Sequence, residues 1–415
     1  MKHLESAMNL NMIKAISKKC LKIVFATDQY WPRISGQSVS IDAFATDLEK
    51  AGHKVFILAP DYPGATEFDA LANHRRVFRF KSRGLFFSPE DMLVTPAARG
   101  KVCRVLDRLE PDIIHVQSEF RLGLFAANYA RAKGVPLVMT AHTNWEELIK
   151  LYLPFFPEPL ARKYVRSRLG RTYNHADHVI VPTKAMRDLI LEYKVDTPIS
   201  VIPTGVLRED FELGPEELVR SNAQWRELYP EMKGKRILLT AGRVGAEKNL
   251  AFLLEVFRRV SMTEPNLLFA IAGDGPYRET LERLTRKLGL EENVLFVGFV
   301  PRAKMKELYH LAEVFMFASR VESQGMVVIE SMMARTPVVA IGEMGTRELM
   351  DGDNGGFMVD ADLDSFTAKV HALLSDQPLR RRKGEEAFAH AQMWTNDESA
   401  RKMQVLYESL SGGAD

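Results

Sequence analysis

Residues 314–330, Val-Phe-Met-Phe-Ala-Ser-Arg320-Val-Glu-Ser-Gln-Gly-Met-Val-Val-Ile-Glu330, are the stretch whose reading decides the fold. Val314–Ala318 is apolar, β-branched or aromatic, the signature of a parallel strand buried on both faces. Met326–Arg335, apolar and closed by Pro337, reads as a helix. A short loop with one glycine joins them. Strand, glycine loop and helix together form an anion site: Gly325 lets a ligand approach the backbone, and the first free N–H groups of the helix point at negative charge.

Two carboxylates set the stretch apart. Glu322 lies in the loop and Glu330 about one turn into the helix, so both can face one crevice. Alone, two such acids would read as solvated groups; set between a buried strand and a small-residue helix, they read as a pair. They would repel phosphate and accept hydrogen bonds from hydroxyls. A ligand with phosphate between two hydroxyl-rich ends, such as a nucleotide sugar, fits that pattern.

Working outward, strands alternate with helices along the whole chain. Lys22–Thr27, Lys54–Leu58, Arg76–Phe80, Asp112–Val116, Pro136–Thr140, Val179–Val181 and Ile199–Ile202 read as strands of one half. Arg236–Thr240, Leu267–Ala272, Val294–Val297, Val314–Ala318, Pro337–Ala340 and Phe357–Val359 read as strands of the other. A helix is expected over Met92–Leu109 and a last one over Asp397–Leu410. This alternation predicts an α/β protein of two Rossmann-like domains with parallel sheets. Residues 1–20 are expected to be an N-terminal extension, 21–205 the first domain, 206–392 the second, and 393–415 a C-terminal helix.

In such sheets ligands bind beyond the carboxyl ends of the strands. Gly242-Arg-Val-Gly-Ala-Glu-Lys-Asn249 follows one strand, where Arg243 and Lys248 could neutralise a diphosphate without a metal. Ala272-Gly-Asp-Gly-Pro276 follows the next and supplies Gly273 and Gly275. Phe299 and Val300 follow Val294–Val297. In the first half Gly36 lies in the loop after Lys22–Thr27, and His142 follows Pro136–Thr140 directly. Glu119 also follows a strand and could touch an acceptor. Asp351-Gly-Asp353 and Asp360-Ala-Asp362 lie among turn residues and read as turn acids, so no catalytic metal is expected.

The Glu322–Glu330 pair with its internal glycine resembles the glutamate-pair motif of retaining glycosyltransferases of the GT-B fold, specifically their family four, and the likeness spans roughly residues 21–410. It implies that Glu322 contacts the donor sugar, with Ser323, Gln324, Gly325, Met326 and Val327 lining the same loop, and that Glu330 holds the ribose. Arg243 and Lys248 would bind the diphosphate, Gly273 and Gly275 line the nucleotide pocket, and Phe299 and Val300 hold the base by main-chain atoms. His142 would lie beside the anomeric carbon. Family members commonly carry two glycines where this chain has Gly36 alone. The resemblance also implies that the two domains face each other and that the last helix crosses back onto the first. The form Glu-Ser-Gln-Gly-Met-Val, with the Asp28…Trp31-Pro32 loop and Ala141-His-Thr-Asn-Trp-Glu-Glu147, resembles the branch that glycosylates diacylglycerol.

At 415 residues the chain exceeds one compact core, and its two cysteines, Cys20 and Cys103, lack metal-ligand spacing and suit a reducing cytoplasm. No apolar run reaches the roughly 20 residues needed to span a bilayer. The N-terminal 19 residues, polar and basic without an apolar stretch of signal-peptide length, read as a ragged extension, and Met8 and Met12 are also available as starts. Residues 1–200 hold 29 Lys/Arg against 21 Asp/Glu, a balance of +8, whereas 201–415 hold 27 against 33, a balance of −6. No nucleic-acid motif accompanies the basic half.

Leu151–Pro157 reads as an apolar loop. Glu158–His175, with Arg162 and Arg166 as candidate acceptor residues, reads as a basic amphipathic helix suited to an anionic membrane surface. Arg75, Arg76, Arg79, Lys81 and Arg83 with Phe86 and Phe87 form a second basic–apolar cluster. The expectation is therefore transfer of a hexose from a UDP- or GDP-sugar, without cofactor, to a membrane lipid such as diacylglycerol, on the inner face of the cell membrane. A soluble or polysaccharide glycan acceptor, a GT-B sugar-nucleotide epimerase and a non-catalytic binding module are the alternatives.

Overall fold

The computed structural model describes residues 20–33, 35–71, 76–85, 88–152 and 157–412. Residues 1–19 of the expected N-terminal extension, Arg75, Phe86 and Phe87 lie outside them, as do residues 153–156. The strands are β1 (Lys22–Ala26), β2 (Lys54–Pro60), β3 (Arg76–Phe80), β4 (Ser82–Leu85), β5 (Ser88–Val94), β6 (Ile113–Val116), β7 (Leu137–Thr140), β8 (His178–Val181) and β9 (Ile199–Val201). Then come β10 (Arg236–Ala241), β11 (Leu267–Ala272), β12 (Val294–Gly298), β13 (Val314–Phe317), β14 (Val338–Ile341) and β15 (Gly356–Val359).

They form two parallel sheets, in the orders β3-β2-β1-β6-β7-β8-β9 and β12-β11-β10-β13-β14-β15. Each sheet is covered on both faces, which explains why its strands read as unbroken apolar runs. Val24 and Ala26 enter one core while Ile23 and Phe25, alternating with them, enter the opposite one. Ile237 and Leu239 are divided from Leu238 in the same way in the second sheet. In each sheet the winding direction reverses once, between β1 and β6 and between β10 and β13, and these reversals open the crevices at the carboxyl ends.

The C-terminal helix, Asn396–Ser411, crosses back to the first sheet and packs on the helix Gly36–Lys50. Met403 and Tyr407 enter the first domain's core, and the Tyr407 hydroxyl joins buried His115 Nδ1 at 2.6 Å. The outgoing and returning chains touch where they pass between the sheets: Val206 bridges Thr395, and Val206 N–H donates to the Trp394 carbonyl at 2.9 Å. Gly205 lies so close to the returning chain that a Cβ there would stand 2.4 Å from Asn396 N and 2.5 Å from Thr395 O.

The expected helix over 92–109 is shorter. Ser88–Val94 pairs antiparallel with β4, and the helix itself is Arg99–Leu109. Pro96 accounts for the break, because it disfavours helical geometry at Thr95 yet suits the first turn of a new helical segment. Leu151 and Tyr152, expected in a loop, instead end a helix, Trp145–Tyr152. Helices Ala65–Leu71, Pro215–Leu228 and Met344–Met350 are likewise additions.

Replacing Gly205 by Ala should cost about 1–3 kcal/mol, the usual penalty for forcing a methyl into packed backbone. Chemical denaturation should read that loss, and limited proteolysis should cut sooner near residues 394–396. Unchanged stability with an unchanged cleavage pattern would show that the crossing tolerates a side chain.

Candidate active site

The reversal between β10 and β13 brings the loops after these strands side by side. The first loop turns through a short 3-10 segment, Ala246–Lys248, and Asn249 takes a left-handed φ of 54° to start the helix Leu250–Ser261. Arg243 and Lys248 line a recess at the ends of β10 and β11, with Thr240, Gly242, Ala272 and Phe317. Lys248 reaches across to the second loop, where its ammonium donates to Glu322 Oε1. Burial pushes the Glu322 carboxyl up, but Lys248 and the Ser319 hydroxyl outweigh it and hold it below the usual glutamate value. Arg243 is close by and pairs with Glu247 at 3.0 Å. Gly325, with φ 90°, caps the helix Met326–Met333, a conformation that strains any residue with a Cβ.

Glu330 is buried one turn into that helix and accepts from Arg302 at 3.1 Å and from the Tyr309 hydroxyl at 2.8 Å. Its partners lie on the helix Arg302–Leu311, directly after Phe299 and Val300. Phe299 is exposed and Val300 buried. Both border a cavity of about 290 Å³ beside Trp225 and Tyr229. The glycines of the Ala272–Pro276 loop serve chain packing: a Cβ on Gly273 would lie 1.8 Å from the Gly242 carbonyl oxygen, and one on Gly275 2.5 Å from that of Val244. These loops are thus stacked layer on layer.

Gln324 does not point its side chain at this recess. Both of its amide atoms engage the Thr204 backbone, where the chain leaves the first domain. Met326 and Val327 are partly buried and pack against the second core.

The facing crevice of the first domain gathers residues from three strand ends. Gly36 is the first residue of the helix Gly36–Lys50, with open space where a Cβ would project. Gln37 donates to Thr27 Oγ1 at 2.9 Å. Gln117 Oε1 accepts from His142 Nε2 at 2.7 Å, which puts the ring proton on Nε2 and leaves Nδ1 as an acceptor. Burial pushes the His142 pKa down to about 4, so the ring is neutral near pH 7. Glu119 accepts from the Tyr173 hydroxyl and from Trp145 Nε1 at 3.1 Å. Burial raises its carboxyl pKa against those hydrogen bonds. Its observed partners tie the sheet to the helices Trp145–Tyr152 and Glu158–Tyr173. Asp28 accepts from Leu122 N and Gly123 N at 2.9 and 3.1 Å and anchors a helix start, a role that no local signal marks.

The helix Glu158–Tyr173 divides its charges differently from the sequence expectation. Arg162 and Arg166 turn inward and pair with buried Glu146, with Glu147, Glu158 and Glu192 completing the cluster. The outward stripe, at three- and four-residue spacing, is Leu160, Lys163, Tyr164, Ser167, Arg168 and Arg171. Arg79 of the second basic cluster is also internal, holding Asp69 and the carbonyls of Pro60 and Trp31. The Asp-rich turns act as turns: Asp362 caps the helix Leu363–Ser375, and Asp353 accepts from Met358 N.

Two parallel Rossmann-like sheets with facing crevices and a returning last helix define the GT-B class of fold. Residues 34–209 match the family model described as Glycosyltransferase Family 4, and residues 221–390 match Glycosyl transferases group 1. The alpha-monoglucosyldiacylglycerol synthase of Streptococcus pneumoniae is 31% identical over 356 residues, 86% of this chain and 79% of that one. The enzyme of the same name from Acholeplasma laidlawii is 26% identical, covering 81% of this chain and 84% of its own. Among solved structures, Anabaena Alr3699/HepE in complex with UDP-glucose superposes with a TM-score of 0.76 at 18% identity, over 94% of this chain and all of that one. The chain belongs to this group 1/family 4 glycosyltransferase family and is a glycosyltransferase.

Lys248→Met removes the cation that pairs with Glu322 and leaves a part-buried carboxylate without its partner, which should cost about 1–3 kcal/mol at pH 7. Because Glu322 titrates below its unfolded value, the stability that it adds is present above about pH 4.5 and fades as pH falls through the folded pKa. The gap between variant and wild type should therefore narrow from pH 7 to pH 4 in denaturation curves. An equal gap at both would mean that the loss does not come from the ionised Lys248–Glu322 pair.

Proposed function

We propose that this chain is a retaining, metal-independent hexosyltransferase that moves glucose from a UDP-sugar to a hydroxyl of a membrane lipid, diacylglycerol being the leading acceptor. The observation that carries the reading is the Lys248–Glu322 contact at the crevice between β10 and β13. Departure of a nucleoside diphosphate builds negative charge, and stabilising it is the largest help a transferase can offer. Arg243, Lys248 and the helix start at Gly325 would supply that help. The Lys248 ammonium has three donors, so it can keep Glu322 oriented while binding phosphate. Glu322 would accept from the sugar hydroxyls, Glu330 from the ribose, and neutral His142 would lie over the sugar with Nδ1 open to a hydroxyl. Closure of the two domains would exclude water that otherwise hydrolyses the donor.

The donor and acceptor are drawn from relatives and surface. Two relatives carry alpha-monoglucosyldiacylglycerol in their names, and an α-glucoside made from an α-linked donor is retention. Neighbouring folds have been crystallised with UDP or UDP-glucose. The outward stripe of the helix Glu158–Tyr173 combines Leu160 and Tyr164, 56% and 57% exposed, with exposed Lys163, Arg168 and Arg171. Apolar residues among cations suit the surface of an anionic bilayer. No helix among the described residues is long and apolar enough to cross a membrane. The reading is of peripheral contact through this stripe, on the cytoplasmic leaflet. Arg162 and Arg166 would then shape the acceptor side through Glu146 rather than touch lipid.

Incubation with labelled UDP-glucose, EDTA and diacylglycerol in mixed vesicles should yield an α-glucolipid, read from the anomeric proton signal. Glu322→Ala should lower turnover at least about a hundredfold, a loss typical of removing a transition-state contact. Altered sugar nucleotide without acceptor would indicate an epimerase, and no turnover at all a binding module. GDP-mannose should give a smaller thermal shift than UDP-glucose.

Co-sedimentation with anionic vesicles should be strong at low salt, weak at high salt, and lost on Lys163→Glu/Arg168→Glu/Arg171→Glu. Failure of the wild type to bind such vesicles would favour a soluble glycan acceptor.

A further inference from the structure

The donor chemistry leaves one buried contact unused. Gln324 is 4% exposed and commits its whole amide to one residue: Oε1 accepts from Thr204 N–H at 2.9 Å, and Nε2 donates to the Thr204 carbonyl at 2.6 Å. Thr204, itself buried, joins its hydroxyl to Ser40 Oγ at 2.7 Å, on the helix that begins at Gly36. The next residue, Gly205, presses on the returning chain at Thr395 and Asn396. On the other side Gln324 stands two residues from Glu322 and one from the helix cap Gly325. Ser323, between them, accepts from the Thr183 hydroxyl of the first domain at 2.8 Å.

We infer that Gln324 is a positioning residue that couples the donor-site loop to the placement of the two domains. This rests on the glycosyltransferase reading of Glu322 and Lys248 and adds a role to it. The chemistry demands a carboxamide. One group must accept from an N–H and donate to a C=O of the same residue, and among side chains of this length only glutamine does both without taking up a proton. An ionised glutamate would satisfy the N–H and repel the carbonyl, and could replace the amide only by taking up a proton. An apolar residue would leave two buried backbone groups unpaired. Two antiparallel bonds to one residue also resist rotation, which a single bond does not. A continuous path then runs from Lys248 through Glu322, Gln324, Thr204 and Ser40 to the helix that presents Gly36 to the facing crevice. Movement of the crossover relative to the second sheet must therefore move the Glu322 loop.

The test uses the full chain and the variants Gln324→Ala, Gln324→Glu, Ser40→Ala and Gln324→Ala/Ser40→Ala, with UDP as the binding probe and UDP-glucose as the turnover probe. Calorimetry should give UDP Kd values within about twofold of wild type, because the diphosphate groups are untouched. Turnover should show kcat reduced about tenfold or more in both Gln324 variants and by less in Ser40→Ala. The double variant should fall short of the product of the single effects, since both lie on one path. Small-angle scattering should find the Gln324→Ala chain more extended than wild type and less compacted by UDP, a readout that needs no turnover.

A kcat loss matched by an equal loss of UDP affinity would make Gln324 a plain donor contact and overturn the inference. So would an unchanged kcat, multiplicative single effects, or unchanged scattering. Should Gln324→Ala fail to fold, Ser40→Ala decides, and wild-type kcat in it overturns the coupling. Absence of wild-type turnover would sink the transferase reading alone, leaving scattering to judge the coupling.

Discussion

An ammonium and a carboxylate that meet between two loops of one sheet impose most of what surrounds them. Lys248 and Glu322 leave adjacent strands, β10 and β13, on opposite sides of the point where the winding reverses. Their meeting requires both strands to be held in register by apolar side chains on two faces. It also requires the loops after β10 and β11 to stack at backbone distance, which Gly273 and Gly275 allow. A charge pair this sheltered would be a poor source of stability by itself, because desolvation offsets much of the attraction. What it does at this strand-end crevice is local: it fixes the Lys248 ammonium in place and holds the Glu322 carboxyl below its ordinary pKa.

Joints between the domains have a different character. They are short, buried and mostly made of backbone: Val206 with Trp394 and Thr395, Thr204 with Gln324, Thr183 with Ser323. Side chains join them too: the returning helix brings Tyr407 into the first core against His115, Met344 packs on that core, and Lys184 N–H donates to Glu348 Oε2 at 2.7 Å. Burial lowers the His115 pKa well below its ordinary value, helped by neighbouring His142, so the His115 ring is neutral near pH 7.

The basic surplus of the first half illustrates how little a net charge says about direction. Arg79, Arg162 and Arg166 are consumed by Asp69, Glu146 and their neighbours, whereas Lys163, Arg168 and Arg171 stand outside. Helical spacing could have separated these sets, since 160, 163, 164, 167, 168 and 171 share one face. Their partners on other elements could not be read from the chain. The helix Pro215–Leu228 was open to local reading too: Pro215 at its start and Glu216 and Glu217 in its first turn are helix-start signals. Pro96 likewise marks the break that shortened the helix expected over 92–109.

Local sequence determined the alternation of strands and helices, the parallel character of both sheets, and the glycine-and-acid loop after β13, because each depends on side-chain period or on residues a few positions apart. It also carried the family likeness, which lies in the spacing of Glu322, Gly325 and Glu330. Tertiary structure alone decided which cation meets Glu322, that Glu330 is held by Arg302 and Tyr309, that Glu119 serves Tyr173 and Trp145, and that Gln324 turns away from the Arg243–Lys248 recess to hold Thr204. Those pairings join residues 21 to 120 positions apart. Their cause is the winding of the sheets and the return of the last helix, and no local period encodes either.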